Sequence, residues 1–116
     1  MFVLQMCGQP ARYTTLMAAF TVVLSPDPEL PAWVAICPAM PGAVTEGTTR
    51  EEALNAMSLV MSAWIDLAAE DGYGPLPETP ALVAEEVAAV LRDREEAGWD
   101  RTIETTMLEP AEAIPA

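Results

Sequence analysis

The sequence predicts an α+β domain, a small and mostly antiparallel sheet with helices on one face. Three observations predict it. Short β-branched runs open the chain and are separated by proline-rich turns. Two stretches of helical periodicity follow, each entered at a threonine and left at a glycine. A last β-rich run comes after them, so the order is β-β-β-α-(α)-β.

The first strand is expected in AAFTVVLSP (residues 18–26), with Phe20, Val22 and Leu24 on one face and Thr21 and Val23 on the other. SPDPELP (25–31) is a turn, because three prolines and an Asp do not sit in a central ladder. WVAIC (33–37) is the second strand, joined to the first as an antiparallel hairpin by the shortness of that turn. PAMPG (38–42) ends it, with Pro41-Gly42 as the centre of a type II turn. AVTEG (43–47) is a short, half-polar third strand.

Thr48 and Thr49 each have a Glu three residues later, at Glu51 and Glu52, so either pair can form a capping box. Ala53, Leu54, Met57, Val60, Met61, Trp64, Ile65 and Ala68 then repeat at helical spacing up to the stop at Gly72. Thr79-Pro80 opens a second helix, an insertion over about 80–97. Its apolar stripe is Leu82, Val83, Val87, Val90, Leu91 and Ala97, and Arg92, Asp93, Arg94, Glu95 and Glu96 decorate the other faces. TIETTML (102–108) is the fourth strand, with Ile103, Thr105 and Met107 on one face. Residues 17–110 form the domain, residues 1–16 an extension before it, and 111–116 a tail. Met17, directly before the first strand, stands as an alternative translation start to Met1, and the sequence does not decide between them.

The length, 116 residues, fits one domain, and 52% apolar residues argue against disorder. Net charge is −13, which repels phosphate backbones and favours a basic partner. No run of 18 apolar residues and no signal peptide are visible, so a cytoplasmic protein is expected. The chain has no His and two cysteines, which leaves no metal-ligand spacing. Cys37, at the end of an apolar run, is expected to be a buried thiol with no base to activate it. No glycine motif for nucleotides occurs, so no cofactor is expected. Asp27, Glu29, Asp66, Glu70 and Asp71 all have local explanations in turns, caps or solvated faces. Trp33, Trp64 and Trp99 could form a binding patch, although core packing accounts for two of them.

Taken together, the segment FTVVLSPDPELPAWVAICPAMPGAVTEGTTREEAL resembles the first half of the HicB-like antitoxin family. Trp33, Pro38, Pro41, Gly42, Gly47, Thr49, Glu51, Glu52 and Ala53 carry the resemblance, which covers about residues 19–72 well and the rest loosely. It implies a degenerate, partial RNase H-like fold of β-β-β-α-β order and a non-catalytic role, binding and neutralising a small basic HicA-type mRNA interferase toxin. Active RNase H enzymes place a metal-binding carboxylate on the first strand, where this chain has Phe-Thr-Val-Val-Leu. Repressor-type members continue into a DNA-binding module, whereas the eight residues 109–116 follow the last strand here, so direct nucleic-acid binding is not expected. Two alternatives stand beside this reading. One is a metal-dependent hydrolase built on Asp27 and Glu29. The other is a homodimer or higher oligomer joined through exposed sheet edges. The partner-binding surface is not legible from the sequence.

Overall fold

The computed structural model describes residues 18–111. The extension at 1–16, the alternative start at Met17 and the tail from residue 112 lie outside the described residues. Three strands come first: β1 (Phe20–Pro26), β2 (Trp33–Ile36) and β3 (Val44–Gly47). Two helices follow, α1 (Arg50–Glu70) and α2 (Pro80–Glu96), and then β4 (Glu104–Leu108). The sheet order is β3-β2-β1-β4, and every neighbouring pair is antiparallel.

Local chemistry sets the meander. Asp27 Oδ1 accepts from the N–H groups of Glu29 (2.8 Å) and Leu30 (2.9 Å), which folds the proline-rich turn between β1 and β2. These two donors hold the Asp27 carboxyl below its ordinary range. Between β2 and β3, Ala43 N–H donates to Met40 O at 2.9 Å, with Pro41 and Gly42 at the centre and Gly42 at φ +89°. That is the type II turn expected from Pro-Gly, and the positive φ is why glycine stands there.

One face of the sheet takes α1. Val22, Leu24, Ala35 and Cys37 meet Ala53, Met57 and Met61, all of them buried, with Leu54, Val60, Trp64 and Ile65 packed around the edge. The apolar stripe of α1 therefore lies on the sheet as its periodicity predicts, and each fully buried methionine contributes about 1.5–3 kcal/mol. After β4 the chain turns back onto the same helix. Ser58 Oγ donates to Glu109 O (2.8 Å), and Ala111 N–H donates to Ser58 O (3.0 Å).

The expectation of both helices on one face is corrected. Ser25 alternates with Leu24 along β1, so its side chain projects from the opposite face, and there it accepts from Arg94 Nη1 of α2 at 2.8 Å. Val23, on the same face as Ser25, is fully buried. Central strand β1 buries Val22 and Leu24 on one side and Val23 on the other, so each face takes one helix. Val23 alone, between Thr21 and Ser25, is too weak a pattern to announce a second buried face. The second traverse has a topological consequence. A single helix after β3 would bring the next strand back parallel to β1, whereas two bring β4 back antiparallel.

Candidate functional site

The residues that carry the family resemblance gather where β2, β3 and α1 meet. Thr49 is the N-cap of α1, and its hydroxyl accepts from Glu52 N–H at 3.1 Å. Glu52 reaches back one residue further than a simple capping box, to the N–H (2.9 Å) and hydroxyl (2.7 Å) of Thr48. Ala53 is buried, and its carbonyl accepts from Thr45 Oγ1 at 2.9 Å, which pins the first turn of α1 to β3. Pro38 is buried below the turn. Pro41 is exposed but offers its carbonyl to Trp64 Nε1 at 3.0 Å, joining the turn to mid-helix. Trp33 packs half-buried against the core, and Glu51 is exposed beside Arg50, 3.7 Å away. The capping pair and the close packing of Gly47 make this region a folding joint.

Gly47, the last residue of β3, is not a turn glycine. Its φ is not in the positive region, and its reason is proximity: a Cβ there would stand 2.5 Å from Ala53 N and 2.7 Å from Glu52 Cβ. The backbones of β3 and α1 approach too closely for any other residue.

The Glu52 carboxyl is held below its ordinary range, first by the Thr48 hydroxyl and then by the Thr48 N–H. A carboxyl depressed in the folded state binds fewer protons there than in the unfolded chain. Its stabilisation is therefore complete above the unfolded value near 4.5 and is lost as pH falls through the lower folded value. Thermal melts of wild type and Glu52→Ala should therefore differ most above pH 5 and converge towards pH 3. Curves that stay equally separated at both ends would contradict this role for the carboxylate.

Cys37 is buried, and burial pushes its thiol up, so it is a packed sulfhydryl at neutral pH as its position predicts. Trp33 and Trp64 lie against the α1-side core, while Trp99 sits on the other side of the sheet, so the three do not form one patch. Among the described residues, no group of three or more His, Cys, Asp or Glu side chains is placed to hold a metal ion. No helix among them is long and apolar enough to cross a membrane.

Sequence reasoning missed the residue that organises that second face. Arg94, expected on the solvated side of α2, is 3% exposed. Its Nε donates to Asp100 O (2.7 Å) and its Nη2 to Asp100 Oδ1 (3.0 Å). Its Nη1 donates to Ser25 Oγ (2.8 Å) and Pro26 O (2.6 Å), and the guanidinium lies 5.2 Å from the centre of the Trp99 ring. The only signal in the sequence was the i+4 spacing from Val90 to Arg94 along the apolar stripe. Beside this clamp the sheet is open. A cavity of about 250 Å³ is floored by Val34 and Ile36 of β2 and walled by Val90, Asp93, Ala97 and Trp99. Beyond it, at the sheet edge, Val44 is 54% exposed and Glu46 is exposed. The chemistry on offer here is an apolar floor with carboxylates at its sides. The chain matches no known protein-family model, and no curated protein matches it.

Proposed function

We propose that this chain is a non-catalytic HicB-like antitoxin, or a solitary HicB-like domain, that binds and neutralises a small basic toxin of the HicA mRNA-interferase type. The observation that carries the proposal is the strand-turn-strand-helix unit from Trp33 to Ala53, whose sequence resembles that family, on a chain of net charge −13. An RNA-cleaving protein must present a basic surface to phosphates, and an acidic protein is electrostatically suited to cover it. On this reading the fold is a degenerate, partial RNase H-like domain with α2 inserted before the last strand. Of the two carboxylates named for an alternative hydrolytic role, Asp27 is already engaged in holding its own turn. The test is co-expression with the small basic protein of the neighbouring reading frame. Co-purification of the two and rescue of growth are expected, and absence of both removes the proposal.

The proposal includes self-association. Among the described residues the outer edge of β4 is unpaired and carries exposed Thr105 and Met107, so it is where two copies can pair. Light scattering that finds only monomer at working concentrations dismisses the dimer and leaves toxin binding untouched.

A further inference from the structure

Among the described residues, both ends of the sheet order are free edges, but they differ in what they offer. Cys37 N–H donates to Ala43 O at 3.1 Å. In an antiparallel ladder, bonded and non-bonded pairs alternate. The Ile36–Val44 and Val34–Glu46 pairs are therefore of the non-bonded kind, and the N–H and C=O groups of Val44 and Glu46 point away from β2 to the free side of β3. The same two residues carry their side chains on the α2 side of the sheet, next to the cavity above Val34 and Ile36. Neither α2 nor any described loop covers this strip: Val44 stays 54% exposed.

The rim of the strip is acidic and uncompensated. Glu46 borders it on one side and Asp93 on the other, and neither takes part in an ion pair among the described residues. Arg94, the one cation lining the cavity among the described residues, is turned into its own clamp. A second copy of the chain would bring its own carboxylates against these. A basic partner would pair with them.

We infer that the free edge of β3 takes an extended segment of a basic protein partner as an added strand. Its backbone pairs with Val44 and Glu46, a Lys or Arg lies opposite Glu46, and an apolar side chain beside Val44 leans over the Val34–Ile36 floor. Main-chain bonds supply the attachment, the carboxylates select the charge, and the cavity selects an apolar neighbour at two-residue spacing. The inference deepens the proposed protein-binding role and rests on it, because it names the surface through which that role would act.

The probe is a short capped peptide that alternates Thr with Arg and Phe, offered to the full chain at millimolar concentration. A second peptide has Glu in place of Arg. Amide hydrogen exchange at Val44 and Glu46 is expected to be fast in the free protein and to slow at least tenfold with the basic peptide. The Trp99 indole resonance should shift with it. The acidic peptide should leave all three unchanged. Glu46→Lys, at an exposed site, should weaken the basic peptide at least fivefold and improve the acidic one. Unchanged exchange at Val44 and Glu46 with saturating basic peptide overturns the inference. So does protection that grows with protein concentration alone, which would give the edge to a second copy. Edge protection without toxin neutralisation would leave this site standing and remove the antitoxin reading. Neutralisation that survives Glu46→Lys together with Asp93→Lys would do the reverse.

Discussion

Replacing Arg94 with Met is expected to lower the melting temperature by roughly 10–20 °C. The guanidinium is 3% exposed and ties three parts of the chain together: the end of β1 at Ser25 and Pro26, the last turn of α2, and the loop at Asp100. Methionine matches much of the length but donates nothing. It leaves the Ser25 hydroxyl and the carbonyls of Pro26 and Asp100 without their donor. Losing hydrogen bonds to a buried charged group while stranding their acceptors costs about 3 kcal/mol or more. Lysine keeps the charge but lacks the fork that reaches Ser25 and Asp100 at once, so Arg94→Lys should recover only part of the loss. Because α2 is fastened to the sheet at this point, the variant should also quench or shift Trp99 emission before the main unfolding transition. A melting temperature within about 3 °C of wild type would show that the clamp does not hold the second face.

Gly47→Ala is expected to cost about 2–3 kcal/mol. The new methyl would stand 2.5 Å from Ala53 N and 2.8 Å from Glu52 C, both backbone atoms in the first turn of α1. Neither can rotate aside, so β3 and α1 must separate. Separation would stretch the Thr45 hydroxyl from the Ala53 carbonyl and disturb the fit of α1 over Ala35. Gly42→Ala is a useful contrast. There a Cβ meets nothing within 4 Å, and the cost is the positive φ of the turn alone, about 1 kcal/mol. Denaturant titration of the two variants separates the causes. Gly47→Ala should be clearly the worse, and equal midpoints would mean that the β3–α1 approach is not tight.

Much of this architecture is legible from local grammar. The Asp27 turn, the Pro41-Gly42 turn, the Thr49 and Thr79 caps and the Met57–Met61 stripe each follow from residues within a few positions of one another. What was not legible depends on partners distant in sequence. Arg94 reads as solvent-facing because Arg in a charged run usually is, and its destination, Ser25, lies 69 residues away. The second covered face was hidden for the same reason, since a single buried Val23 between Thr21 and Ser25 looks like an ordinary half-polar side. Gly47 was identified as a motif residue but its cause was not, because a close approach between β3 and α1 leaves no mark on neighbouring residues. The groove over Val34 and Ile36 exists only because α2 covers β1 and stops short of β3, a matter of packing and not of pattern.

The central claim is that this acidic domain acts by covering the basic surface of an RNA-cleaving partner. Its most direct measurement is the rate at which the purified product of the neighbouring reading frame cleaves RNA as this chain is titrated in, at low and at high salt. The account predicts that cleavage falls to background near equimolar chain at low salt, and that the inhibition weakens as salt screens the attraction. Cleavage that continues unchanged in a several-fold excess of folded chain would contradict it.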